Sequence, residues 1–202
     1  MYRLKALFQT WLRPLARVAA DFGLTANQIT LAACALSIGF GVLLISRPRS
    51  QASWLLLPAV LLLRMVLNAL DGMLARESGQ QSRLGACLNE LGDVFSDAFL
   101  YMPFLYLGNL DSLWMVVVIL LAVISEMAGI VTLMIGASRR YDGPMGKSDR
   151  ALVFGALALW CGLGGSVAAW AGYLFPGLMT VLLLATVVNR VRAGLLEGNG
   201  HG

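Results

Sequence analysis

The sequence predicts an all-α polytopic membrane protein, with six transmembrane helices and an N-terminal amphipathic helix lying in the membrane interface. Three observations predict it. Of the 202 residues, 58% are hydrophobic and only 13% are charged, whereas a soluble domain is about half apolar with about a quarter of its residues charged. Gly, Pro and charged residues cut the apolar sequence into six stretches, at 29–46, 53–74, 88–107, 112–135, 151–168 and 170–188. Several of these approach the ~20 residues that a bilayer core requires. Lys and Arg are also unevenly placed: with the N-terminus in the cytoplasm, twelve fall inside and only Arg47 and Arg49 outside, with Arg64 within a span. That asymmetry is the positive-inside pattern, so both termini and the loops 75–87 and 136–150 are expected in the cytoplasm. The net charge of +4 therefore follows topology and does not indicate a nucleic-acid partner. The chain reads as one membrane domain, 1–202.

Residues 2–20 form the interfacial helix. Leu4, Leu7, Phe8, Trp11, Leu12, Leu15 and Ala19 recur at helical spacing, with Arg3, Thr10, Arg13 and Arg17 opposite. Pro14 is expected to kink or divide this helix, and Arg13 and Arg17 interrupt any signal-peptide core. Thr25 with Gln28 three residues later is a capping box, and Leu24 is placed to staple onto Ile29. The first span thus starts sharply and presents Asn27 and Thr30 near the cytoplasmic surface. The second span ends there in N-A-L-D-G-M-L-A-R, and the third begins there in G-A-C-L-N-E-L-G-D. Lys147-Ser148-Asp149-Arg150 opens the fifth, with Ser148 as expected cap, a helix N-terminus suited to an anion. The sixth is followed by Arg190 and Arg192, and 197–202, with the lone His201, reads as a flexible tail. Small residues (Gly39, Gly41, Ala151, Gly155, Gly162, Ser166) permit close helix contact. Cys34, Cys87 and Cys161 have neither metal-like nor disulfide-framework spacing, although Cys87 borders the polar cluster.

Carboxylates within apolar helices are costly and read as functional. Asn68 and Asp71 share a face of the second span, and Asn89, Asp93 and Asp97 recur every four residues along the third. Two antiparallel helices can point Asn68, Asp71, Asn89 and Asp93 into one pocket. Gly72 and Gly85 allow close approach, and Arg76 can reach an anion at the surface. Such an oxygen-rich set suits a hard divalent cation holding a phosphate or diphosphate. Arg64, Asp97 and Glu126 lie ~10 Å deeper by helical rise. They read as a buried ion pair or triad tying spans two, three and four together, with entry of Asp97 into the metal site as the other reading.

The pattern D-x2-D-G-x2-A-R-x8-G-x3-D-x3-D marks the CDP-alcohol phosphatidyltransferases, and this chain resembles them. Asp71-Gly72, Ala75-Arg76, Gly85 and Asp93 match at the required separations, and Thr25 to Thr30 looks like the T-P-N-x-x-T start of the family's first span, with Ala26 in place of Pro. The resemblance implies attack of an alcohol hydroxyl on the β-phosphorus of CDP-diacylglycerol, releasing CMP in phospholipid biosynthesis. It further implies a homodimer in a bacterial-type inner membrane, with the site on the cytoplasmic side. Carried over by position, Asn68, Asp71, Asn89 and Asp93 would hold one or two Mg²⁺ or Mn²⁺ ions. Asp71 and Asp93 are the catalytic pair, Asp93 acting as ligand or base. Asn27, Thr30, Gly72, Ala75, Arg76 and Gly85 would bind the CDP-lipid donor. Lys147, Arg150 and Arg139 would bind the acceptor, which their charge suggests is phosphorylated, such as glycerol 3-phosphate or an inositol phosphate.

The chain departs from the pattern at its first and third aspartates, which are Asn68 and Asn89. An amide oxygen still coordinates but carries no charge. Each missing charge weakens attraction to a neighbouring unit charge by about 4 kcal/mol before solvation is discounted. Three outcomes are open: one tightly held ion, compensation by Glu90 or Asp97, or a catalytically impaired CDP-lipid-binding or scaffolding protein. A transporter fits less well, because the polar cluster lies at one surface and no internal repeat is visible.

Overall fold

The computed structural model describes residues 2–198, with side chains from Thr10 onward. Among the described residues seven helices follow one another: α1 Tyr2–Asp21, α2 Ala26–Ser46, α3 Gln51–Glu77, α4 Arg83–Tyr101, α5 Ser112–Val131, α6 Lys147–Gly162 and α7 Ala169–Gly198. Short 3₁₀ turns extend α4 to Tyr106 and α5 to Ile135, and no strand occurs among the described residues. Among the described residues four segments are long and apolar enough to cross a membrane: α2, α3, α5 with its 3₁₀ turn, and α7. α6 is short for a span at 16 residues, and α4 carries Glu90, Asp93 and Asp97.

The boundaries differ from expectation where polar residues are helical. α4 begins at Arg83 because Ser82 caps it, its hydroxyl accepting from the Gly85 nitrogen at 2.9 Å. α6 begins at Lys147, two residues before the start that a Ser148 cap would give. Its cap is Gly146, whose nitrogen donates to Asp149 Oδ2 at 3.0 Å, and Ser148 lies inside the first turn. It ends at Gly162, ahead of a turn in which Gly164 takes a φ of +88°. α7 runs ten residues past the expected 188. Glu197, expected in a flexible tail, accepts from Ser138 at 2.8 Å and Arg140 at 2.7 Å. His201 and residues 199–202 lie outside the described part, as do the side chains of Arg3, Leu4, Lys5, Leu7 and Phe8. The Thr25–Gln28 capping box forms as expected, and α1 continues through Pro14 undivided.

α2 packs on α3 and α4, α3 on α6, α5 on α7, and α1 on α3. In lipid the hydrophobic effect does not drive helices together, so close packing and polar contacts must. Gly162 allows the first: a Cβ there would meet the Leu55 nitrogen of α3 at 2.6 Å. Gly41 likewise lets α2 lie on the Phe99 backbone, whereas nothing stands within 4 Å of Gly39. One core holds Leu44, Leu57, Phe104 and Phe154, with Tyr101 stacked on Phe154 at 4.1 Å. A smaller one joins Leu12 and Ala16 of α1 to Ile29, Leu70, Met73 and Leu74, at the end where the polar cluster lies. All three cysteines are free thiols.

Candidate active site

The polar faces of α3 and α4 meet as their spacing requires. From α3, Arg64 and Asn68 reach Asp93 and Asp97 of α4. Asp93 is the meeting point. Its Oδ1 accepts from Asn68 Nδ2 at 2.7 Å, contacts the Lys147 ammonium and lies 3.5 Å from Arg64 Nη2. Asp71 is separately held: it is 4% exposed, and its Oδ2 accepts from the Thr30 hydroxyl of α2 at 2.7 Å.

Two cavities flank these carboxylates. The first, of about 580 Å³, is lined by Asn27, Thr30, Asp71, Gly72, Ala75, Arg76, Gly85 and Asn89, together with the α3–α4 turn from Gln80 to Arg83. All six residues expected to bind the donor therefore share one cavity. A Cβ on Gly85 would meet Asn27 Oδ1 at 2.8 Å, so glycine keeps that cavity open. The second, of about 460 Å³, is lined by Asn68, Asn89, Asp93, Glu126, Arg139, Tyr141, Lys147, Ser148, Asp149 and Arg190. Asn89 borders both.

Behind the second cavity lies a buried ion network joining five helices, α3 to α7. Asp97 accepts from Arg64 through Oδ1 and from Arg150 through Oδ2, at 2.6 and 3.1 Å. Glu126 of α5 accepts from Arg150 at 2.9 Å and lies 3.4 Å from Arg190 of α7. Arg139 links Glu126, at 3.3 Å, to Glu90, at 2.6 Å. The expected ion pair of Arg64 with Asp97 thus exists, and Glu126 joins the same network through Arg150.

Several expectations are corrected here. Arg150, expected at the acceptor, is fully buried and lines neither cavity; α6 turns it inward to Asp97 and Glu126. Asp97 does not enter the cation site, because both of its oxygens are held by arginines. Glu90, the other candidate for supplying the missing charge, is engaged by Arg139 at 2.6 Å. Sequence reasoning missed Arg190, read as ordinary topological charge, whose guanidinium also donates to the Ser125 carbonyl. It missed Tyr141, over whose ring Arg139 lies at 4.2 Å. A signal existed for Arg190 in its spacing of four from Thr186, which holds the Met145 nitrogen at 3.0 Å. In the adjoining loop, hydrogen bonds from Arg140 keep the Asp142 carboxyl below its usual range.

The donor set does not suit two dications. Among the described residues no three His, Cys, Asp or Glu side chains gather as a metal cluster. The chain carries amides at two of four positions, and Asp93 is already occupied by a lysine.

The family model for CDP-alcohol phosphatidyltransferase matches residues 23–191. The chain belongs to that family. It is 45% identical over 196 residues to inner membrane protein YnbA of Escherichia coli, covering 97% of this chain and 96% of that protein. Its fold is similar to that of the phosphatidylinositol phosphate synthase PgsA1 of Mycobacterium tuberculosis. With CDP-DAG bound, that structure matches with a TM-score of 0.73 and 20% identity over 90% of this chain and 92% of the other. The same enzyme in complex with manganese and citrate also matches with a TM-score of 0.73 and 20% identity, over 90% and 88%. At that identity the solved structures speak to the fold, and the family assignment rests on the family model and the E. coli relative. As a CDP-alcohol phosphatidyltransferase the chain retains Asp71, Gly72, Ala75, Arg76, Gly85 and Asp93 of the motif and departs from it at Asn68 and Asn89.

Proposed function

We propose that this protein transfers a phosphatidyl group from CDP-diacylglycerol to the hydroxyl of a small polar alcohol, releasing CMP. The reading takes α2 to α7 as six spans of the inner membrane. α1 lies in the cytoplasmic interface, where its exposed Trp11, and Phe22 just beyond its end, meet headgroups. Both termini and the site face the cytoplasm, and the homodimer that the resemblance implies is retained.

The observation that carries the proposal is the pair of cavities that both border Asn89, with Asp71 on one and Asp93 on the other. In the first, Arg76 and Arg83 meet the donor's phosphates, and Asn27, Gly72, Ala75 and Gly85 form the nucleotide slot. In the second, the acceptor hydroxyl approaches Asp93. All three donors to Asp93 converge on Oδ1, which leaves Oδ2 to receive the hydroxyl proton. As that proton leaves, the oxygen bonds to the β-phosphorus and the bond from that phosphorus to CMP breaks.

Asp71 and the Asn89 amide oxygen, which line the same cavity, would hold one Mg²⁺ or Mn²⁺ ion together with the donor's phosphates, since one or two carboxylates plus substrate phosphates suffice for such ions. When bound, it neutralises the diphosphate and the departing CMP. Lys147 supplies fixed positive charge at Asp93, where a second ion would otherwise stand. Purified protein is therefore expected to bind one Mn²⁺ in equilibrium titrations followed by electron paramagnetic resonance. Asp71→Ala should abolish that binding, and two equivalent Mn²⁺ ions in the unaltered protein would refute the single-ion site.

The activity test is incubation with CDP-diacylglycerol and a panel of alcohols. CMP release and a new lipid identified by mass are the expected results. CDP-lipid binding with no CMP release from any acceptor would instead favour the non-catalytic reading, in which Lys147 silences Asp93.

A further inference from the structure

We infer that the acceptor is an uncharged polyol, and that Glu90 and Glu126 are the residues that exclude phosphorylated acceptors. This rests on the transferase reading and reverses what the basic residues alone suggest. Three cations line the acceptor cavity, Arg139, Lys147 and Arg190, but so do three carboxylates, Asp93, Glu126 and Asp149. Each cation already has a partner. Lys147 contacts Asp93. Arg139 Nη2 donates to Glu90 and Glu126, and its face lies on Tyr141. Arg190 Nη1 is taken by the Ser125 carbonyl and faces Glu126. Arg150 is locked inside the network, and Arg140 is bound to Asp142 and Glu197.

A phosphomonoester carries a charge of about −1.5 to −2 at pH 7, and arginine holds it best with two parallel N–H groups. To offer such a fork, Arg139 or Arg190 must release a carboxylate that is nearly buried, Glu126 being 5% exposed. That carboxylate would then face the incoming phosphate, a like-charge contact with no solvent to relieve it. What the cavity offers freely is single hydrogen bonds. Asn68, Asn89, Tyr141 and Ser148 supply neutral polar groups. An array of single donors and acceptors matches a row of hydroxyls.

The test gives purified protein CDP-diacylglycerol with either glycerol, inositol and hexitols, or glycerol 3-phosphate and inositol phosphate. CMP release with the uncharged set is expected to exceed that with the phosphorylated set by roughly tenfold or more, the selectivity that a repulsive element confers. Glu126→Gln should narrow that ratio by freeing a cation. Glu90→Gln, which touches only the outer end of the network, should narrow it too should the first variant fold poorly. Preference for phosphorylated acceptors in the unaltered protein, or an unchanged ratio in a folded variant, would overturn the assignment. Absence of CMP release with either set overturns the acceptor assignment, and absence with every alcohol of the wider panel overturns the transferase reading as well, whereas turnover of phosphorylated acceptors alone overturns only the former.

Discussion

Asp93→Asn is expected to lower CMP release by about 10²–10⁴-fold, the range that a positioned general base contributes. The substitution keeps the shape of the side chain, and Asn68 Nδ2, 2.7 Å from Oδ1, retains an oxygen to donate to. What is lost is the proton acceptor and the counter-charge of Lys147. CDP-lipid binding should persist, because Asp93 lines the second cavity and the donor residues line the first. Turnover and donor affinity, measured separately, check this: turnover should fall while affinity holds. Undiminished turnover would remove Asp93 as base.

Asp97→Asn is expected to destabilise the protein by about 3–5 kcal/mol, the cost of breaking a buried ion pair by removing one partner. Arg64 and Arg150 are 2% and 0% exposed, and both depend on this carboxylate. Thermal unfolding in detergent should show a large drop in midpoint. Because Arg64 Nη2 also donates to the Asp93 main-chain oxygen at 3.0 Å, surviving protein should lose turnover as well. Replacing Asp97, Arg64 and Arg150 together by apolar residues should recover much of the stability, as buried ion groups often can be replaced, but not the activity. An unchanged midpoint in the single variant would mean that water reaches the network.

The helical fold and the faces of α3 and α4 were legible because both depend on local spacing. Asn68 and Asp71, or Asn89 and Asp93, must share a face whatever surrounds them. The motif was legible for the same reason, as was the burial of Arg64 with Asp97, since isolated charges inside apolar helices require partners. Arg150 was misread because its role depends on the rotation of α6, which is set by packing on α3 and by contacts more than fifty positions away in sequence. Glu90 and Arg190 were obscured likewise: their partners come from other segments. Helix ends were misplaced because apolar runs do not mark polar turns, such as the first turns of α4 and α6 and the last turns of α7.

The two cavities bordering Asn89 bear on the order of events. Donor and acceptor would enter by separate doors and need not take turns in one slot. Under the proposed reaction the nucleotide has no reason to depart before the alcohol arrives. Transfer then happens in a single encounter of three bodies, and no phosphatidyl group need be parked on the protein between partners.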